Sequence, residues 1–420
     1  MRCIVRKLFI ASVVFLSFLL VSTAVHADPF KFSSSTQFLW GDDLLGDRSA
    51  VIAQYLRFTF APEGKPYSVT GYGRLWKDLG SPEVRSDDFE TRVYYLYLDY
   101  ALLPNVSTRI GRQFTNFTAG TSIMDGIRLD VNKIGPVGVT LAGGRDVTFS
   151  LDGEYSRNGN NFFGIDIHLQ DVKSTQLGFS YIRRYDESDL AREELGMNFR
   201  YFLKFASPYA EVKYDLLSKV FDDATIGVDV FPLSNLKVKA EFYHSYPTFD
   251  STSIYSVFAV DKFREYLILA EYNLAIPVSV FASYKRQTYE EDTNADVYTI
   301  GARAYPNEKL NLNASFDYRR GYSGYAFFPA TGVTETDGKL YGFELSGDYK
   351  LRKEIIVFAG IQYDTYNRPD ISGNNYARRY WAGGRWIATK KLSVTARLED
   401  DDNPNFSHRI LGRVALDWNL

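Results

Sequence analysis

An all-β fold, an antiparallel up-and-down meander of about 22 strands, is what this sequence predicts. Three observations carry that reading: a period-two alternation of apolar and polar residues that recurs from end to end, the lack of any helical pattern, and connections whose lengths alternate along the chain. The clearest stretch is LNLNASFDYRR at 310–320, with Leu310, Leu312, Ala314, Phe316 and Tyr318 at one parity and Asn311, Asn313, Ser315, Asp317 and Arg319 at the other. Successive strand side chains point to opposite faces, so this segment has one apolar and one strongly polar surface.

Before the meander, Arg2, Arg6 and Lys7 precede an apolar run from Leu8 to Val21 and a small-residue site at Val25-His26-Ala27. That order of charge, short apolar run and small residues is a secretory signal peptide, too short to span a bilayer, and cleavage is expected after Ala27. Residues 28–420 then form one domain, a mildly acidic chain (the 48 Lys and Arg fall to 45 against 51 Asp and Glu). This is no nucleic-acid footprint. The only cysteine, Cys3, leaves with the leader. The exported chain therefore has no disulfide, no cysteine metal site and no C-x-x-C-H for covalent haem.

Extended segments are read at 32–40, 49–60, 67–77, 88–100, 106–115, 123–132, 137–144, 162–170, 175–185, 193–203, 208–217, 223–231, 236–246, 262–273, 277–289, 295–305, 309–322, 338–350, 355–367, 376–388, 391–400 and 406–419. Weak segments can merge, so the expected number is roughly 18–22. After even-numbered segments come short turns such as APEGKP (61–66), PLSN (232–235) and PNEK (306–309). After odd-numbered ones come longer acidic connections: GDDLLGD (41–47), DLGSPEVRSD (78–87), DESDL (186–190), EEDTNAD (290–296), 323–337 and DDDNPN (400–405). A meander whose two ends face different compartments is trimmed at one end and elaborated at the other.

Aromatic residues make up 16% of the chain, and near the short-turn ends they continue the apolar parity at Phe60, Tyr100, Tyr201, Tyr272, Tyr349, Trp386 and Trp418, whereas Phe231 and Tyr305 fall one residue out of phase. Rings of this kind prefer the headgroup level of a bilayer and form a girdle there. A soluble sandwich also alternates, but its strands usually run to about 5–6 residues, shorter than most of these. The reading that satisfies every observation is a closed transmembrane antiparallel β-barrel, apolar outside and polar within, its closure satisfying all backbone hydrogen bonds.

At its C-terminus, RILGRVALDWNL alternates Ile410, Val414, Leu416, Trp418 and Leu420. In this, and in the meander as a whole, the chain resembles Gram-negative outer-membrane porin-like barrels, although that class usually ends in Phe where this chain has Leu420. GRQ at 111–113 followed by DGIRLD at 125–130 is similar to hairpins of several porin-like families. The resemblance implies an outer-membrane location, contact with lipid and lipopolysaccharide, insertion by the barrel assembly machinery, and a homo-oligomer as one assembly state. Strand-like sequence begins at Phe32, so no separate N-terminal plug is expected. Constriction is instead expected from the loops near 145–161, 247–261 and 323–337.

No enzymatic constellation is apparent, and neither catalysis nor a cofactor is expected: His168, His244 and His408 lie on unrelated segments, and Gly71-Tyr72-Gly73 is followed by Trp76 where a dinucleotide fingerprint wants glycine. The parity opposite the apolar one carries both signs. Its candidate pore-lining residues are Arg57, Arg109, Arg128, Lys237, Lys239, Lys285, Arg303, Asp317, Arg319, Glu344, Asp348, Arg379, Arg385, Arg397, Arg409 and Arg413. Arg379, Arg385, Arg397, Arg409 and Arg413 cluster on late strands, and closure is expected to bring Arg57 beside them as a cationic stripe favouring anions. The competing reading is that these arginines pair with Glu399 and Asp417 and merely stiffen the wall. The expected function is a channel for small hydrophilic solutes or ions. The alternative is a structural sheath holding a multihaem cytochrome, similar to the barrel component of trans-outer-membrane electron conduits.

Overall fold

The computed structural model describes residues 29–42, 48–80, 89–150, 153–155, 159–252, 262–289, 294–321, 338–366, 375–403 and 406–420. The segment expected to be a signal peptide and the loop 323–337 lie outside them. The first seven strands are β1 (Phe30–Asp42), β2 (Arg48–Phe60), β3 (Tyr67–Asp78), β4 (Glu90–Leu103), β5 (Val106–Phe117), β6 (Gly120–Ile134) and β7 (Val137–Asp146). A small side hairpin follows, β8 (Thr148–Ser150) and β9 (Gly153–Tyr155). The chain continues as β10 (Asn161–Leu169), β11 (Thr175–Asp186), β12 (Asp189–Tyr201), β13 (Ala206–Asp215), β14 (Val220–Leu233), β15 (Leu236–Ser245), β16 (Phe263–Asn273), β17 (Val278–Thr288) and β18 (Asn294–Asn307). It ends with β19 (Leu310–Gly321), β20 (Gly338–Arg352), β21 (Ile355–Tyr366), β22 (Tyr376–Ile387), β23 (Leu392–Asn403) and β24 (Phe406–Asn419).

All strands except β8 and β9 form one 22-stranded sheet in which each pairs antiparallel with its neighbour in sequence. The sheet closes through β1 and β24, from Ser33↔Asn419 to Gly41↔Leu411. Closure leaves no free sheet edge, as a wall surrounded by hydrocarbon requires. Each segment read from the sequence corresponds to one wall strand.

The alternation sorts the wall into two faces. Ile300 (60% exposed), Ile268 (58%) and Ile127 (56%) stand on the outside, where a soluble protein of this size would have covered them. On β19, Leu312 and Phe316 are likewise exposed, while across the wall Asn311 donates to Asp348 at 3.0 Å and Thr299 to Asp317 at 2.5 Å. At the short-turn end, Phe60, Tyr100, Tyr201, Tyr272, Tyr349, Trp386 and Trp418 all take the outer parity. A second aromatic row, not read from the sequence, lies toward the other end: ring centroids are 5.1 Å apart for Tyr284–Tyr298, 6.1 Å for Tyr298–Tyr318 and 5.0 Å for Tyr318–Tyr341. Tyr341 and Tyr349 on β20 are eight residues apart, which at about 3.3 Å per residue and a tilt near 40° separates the rows by roughly 20 Å. The out-of-phase Phe231 and Tyr305 sit where the ladders shift register, between Val230 and Leu233 and between Ala304 and Asn307. A bulge re-aims the side chain there, so parity no longer decides its face.

Two of the acidic connections are shorter than the sequence implies, while 43–47, 81–88, 290–293 and 322–337 lie outside the described residues. DESDL is no loop: Asp186 pairs with Asp189 across a two-residue turn in which Glu187 and Ser188 have φ of 51° and 79°. Two positive φ values match the strand twist, which suits the tightest hairpins. DDDNPN mostly extends β23, which runs to Asn403.

Candidate functional site in the barrel interior

The interior is narrowed by the β5–β6 hairpin, a feature the sequence reading missed. β5 pairs with β4 only as far as Leu96↔Arg112. Gly111 has φ +122°, a backbone state L residues rarely adopt, and a Cβ there would lie 2.4 Å from the Leu96 carbonyl oxygen. Beyond this bend β5 pairs with β6 alone, to Phe117↔Gly120. The facing backbones of Gly126, Gly143 and Gly144 let β6 and β7 follow, since a Cβ on Gly126 would meet the Gly143 carbonyl at 2.2 Å. Arg112, which breaks the alternation of its strand, sits at the departure point and holds Asp125 at 2.7 Å.

The hairpin tip docks on the interior face of β10–β12. The Ala119 N–H donates to Ser180 Oγ at 2.7 Å, and Asn198 Nδ2 donates to Thr118 Oγ1 at 2.5 Å. Phe117 stacks on Phe162 at 6.4 Å. Gly196 makes room for the tip, because a Cβ there would lie 2.2 Å from the Ala119 nitrogen. Phe117, Ala119, Met124, Ala142, Phe162 and Ile182 become a small apolar core inside the lumen.

Beside the tip lies a cavity of about 790 Å³, lined by Arg128, Asp166, His168, Arg184, Arg192, Glu194, Arg200, Tyr209, Glu211, Lys213 and Asp222 among others. The described part of the β15–β16 connection closes over its rim. Asp250 accepts from Arg192 Nε at 2.9 Å and from Arg184, while Arg192 also donates to the Thr248 carbonyl at 2.8 Å and to Glu194 at 3.1 Å. Thr248 in turn donates to Asp222 at 2.9 Å, and the Ser251 N–H to the Ala191 carbonyl at 2.9 Å. Of the three loops expected to constrict, 247–252 does so and β8–β9 rests against β4.

All sixteen candidate lining residues take interior positions and find polar partners among the described residues, Arg57 excepted, some across strands and some two residues along the same strand. Arg109 meets Asp99 at 2.8 Å, Arg128 meets Asp130 at 2.8 Å, Lys237 meets Asp229 at 3.1 Å and Lys239 meets Glu241 at 2.7 Å. Lys285 lies 3.5 Å from Glu265 and Arg303 3.5 Å from Glu271. Asp317, Glu344 and Asp348 accept from Thr299, Ser346 and Asn311, and Arg319 donates to the Tyr289 hydroxyl at 3.3 Å. In the late stripe Arg379 pairs with Asp401 at 2.7 Å and Arg397 with Glu399 at 2.6 Å. Arg385 and Arg413 instead donate to neutral oxygens of Ser393 (3.3 Å) and Gln37 (3.0 Å), and Arg409 Nε donates to the Asp42 backbone carbonyl at 2.7 Å.

Arg57 does not join this stripe. It pairs with Ser33, which faces Asn419, whereas Arg413 faces Leu39. The closure register therefore leaves Arg57 six residues, about 20 Å, further down the wall. What surrounds it is aromatic: Tyr55, Tyr72, Tyr95 and Tyr97 share its interior parity on β2–β4. A bulge opposite Tyr72 leaves Tyr94 without a partner on β3, and its ring turns inward onto Tyr72 at 5.0 Å. In the sequence this wall shows only as tyrosines at the polar parity, Tyr55, Tyr72, Tyr95 and Tyr97, beside the adjacent Tyr94.

The histidines are dispersed. His168 Nδ1 lies 2.7 Å from Asp166, His244 faces Ala224 and Arg264, and His408 is largely exposed near Asp400. Among the described residues no cluster of His, Cys, Asp and Glu is arranged to hold a metal ion.

No known family profile and no curated protein matches this sequence. Similarity appears only in three dimensions. The ferric enterobactin receptor PfeA of Pseudomonas aeruginosa, a G324V mutant, superposes with a TM-score of 0.61 at 8% identity over 94% of this chain and 81% of that one. The siderophore receptor PirA of Pseudomonas aeruginosa gives 0.60 at 10% identity over 94% and 81%. The P pilus usher PapC translocation pore gives 0.51 at 10% identity over 93% and 99%. At such identities the likeness is one of architecture, and this chain has the fold of these outer-membrane β-barrels: a closed, antiparallel, 22-stranded cylinder.

Proposed function

We propose that this barrel is a channel of the Gram-negative outer membrane that lets small hydrophilic solutes or ions cross passively, its interior charges filtering by electrostatics and performing no catalysis. The observation that carries the reading is the two-faced wall, apolar and exposed outside between two aromatic rows, charged and hydrogen-bonded within. The inward β5–β6 tip and the Asp250 contact restrict the bore as a loop restricts an ordinary porin, so the reading includes no separate plug. The sheath alternative asks for a bore wide enough to admit a multihaem protein, and a hairpin folded into the lumen takes up part of that width. Purified protein in a planar bilayer in KCl should give stepwise, ohmic conductance. A preparation that carries no current and arrives with a red haem protein would reverse the choice.

A further inference from the structure

We propose that the interior wall of β2–β4 binds planar aromatic carboxylates, ring against tyrosine and carboxylate against guanidinium, on their way through the channel. The proposal rests on the channel reading and names a solute class for it. The registers arrange this wall in rows: Arg57 faces Tyr72, which faces Tyr95, and in the next row up Tyr55 faces Arg74, which faces Arg92. Rings and guanidiniums thus alternate like tiles. Centroids lie 6.4 Å apart for Tyr55–Tyr72, 5.4 Å for Tyr72–Tyr95 and 5.7 Å for Tyr95–Tyr97, and the tyrosines are half-buried, leaving part of each ring to the lumen.

Stiffening alone would not produce this arrangement. Elsewhere in the lumen, on β14–β18, cations are matched by facing carboxylates. Here Arg74 and Arg92 lie 3.9 and 2.8 Å from Glu90, and Arg109 has Asp99. Asp78, higher on β3, is taken by Ser49 and the backbone of Ala50 and Gly80. Arg57 is exposed and has no ion-pair partner among the described residues. Rings lining a wet channel offer stacking to another flat ring beside Tyr94 and Arg109, which already lie against Tyr72 and Tyr97 at 5.0 and 4.0 Å, and the Arg57 guanidinium recognises a carboxylate in bidentate fashion. A neutral sugar would call for more acceptors than this donor-rich wall provides.

The test compares benzoate with cyclohexanecarboxylate, which has the same charge and carbon count but no flat ring, as blockers of single-channel KCl current. Benzoate should block at a several-fold lower concentration. Tyr72→Leu and Tyr95→Leu should raise its half-blocking concentration about three- to ten-fold and abolish the preference, whereas Tyr72→Phe and Tyr95→Phe should retain it. Arg57→Gln should weaken both acids. Equal block by the two acids, or a preference surviving both leucine variants, overturns the proposal and leaves the channel standing. A protein without KCl current overturns the channel reading, and saturation-transfer NMR of benzoate on the micellar protein then judges the wall directly: no transfer to the benzoate ring overturns it.

Discussion

Replacing Asp250 by Asn should loosen the segment that covers the interior cavity. The carboxylate is about three-quarters covered and takes charge-assisted bonds from Arg184 and Arg192. Asparagine has nearly the same shape and still offers one acceptor oxygen, so the change removes charge with little loss of packing. Hydrogen bonds to charged groups contribute about 1.5–3 kcal/mol each and neutral ones about 1. With partial exposure screening the pair, the net loss is about 2 kcal/mol, or roughly thirty-fold in the ratio of released to docked segment. Release is not complete, since Thr248 keeps Asp222 and Ser251 keeps the carbonyls of Ala191 and Leu190. Amide hydrogen exchange reads the effect at two positions whose N–H groups are bonded only while the segment is docked, Thr248 and Ser251. Their protection should fall by about that factor in D250N, with larger current fluctuations in a bilayer. Arg184→Gln should reproduce part of the loss, and the double variant should lose less than the sum, because the two residues share one interaction. Unchanged protection in D250N, or strict additivity with R184Q, refutes the argument.

Three further outcomes follow from the same geometry. Leu312→Arg on the outer face should destabilise the folded barrel by about 2–4 kcal/mol, while Asn313→Arg one residue on, facing the lumen, should be tolerated; urea unfolding in lipid vesicles distinguishes them, and equal costs would reject the assignment of faces. Gly196→Leu forces a side chain against the Ala119 backbone, so the tip should withdraw, single-channel conductance should rise and thermal stability should fall; a wild-type conductance in the folded variant would mean that the tip does not set the bore. Replacing Arg385, Arg397 and Arg413 by Glu should shift the reversal potential toward cations, with most of the shift already present in R385E/R413E because Arg397 is neutralised by Glu399. Unchanged selectivity rejects the stripe.

What the sequence disclosed was whatever depends on local parity, and what it hid depends on where the closed wall places things. The strand at 310–320 was legible because its two faces meet different surroundings along its whole length. β1 was harder, for Ser33, Ser34, Ser35 and Thr36 put polar groups on both faces. The structure resolves it by pairing: on the outer face Gln54 donates to Ser34 at 2.7 Å and accepts from Thr36 at 2.6 Å, so three polar side chains satisfy one another across two strands. The same logic explains the missed constriction. The residues between 115 and 123 looked like a loop because Thr118 and Ala119 have no local pattern, and the glycines at 111, 126, 143, 144, 164 and 196 looked like ordinary strand glycines. Their common purpose exists only once the wall is assembled, when the bent β5–β6 hairpin folds onto the interior face of β10–β12 a few strands along, 61 and 80 residues away by the bonds from Ala119 to Ser180 and from Asn198 to Thr118. Parity reports which medium a side chain faces, and it is blind to which distant strand shares that medium. The Arg57 error has that origin: its face was read correctly, but its height in the wall was set by the β1–β24 register, to which no residue near Arg57 contributes.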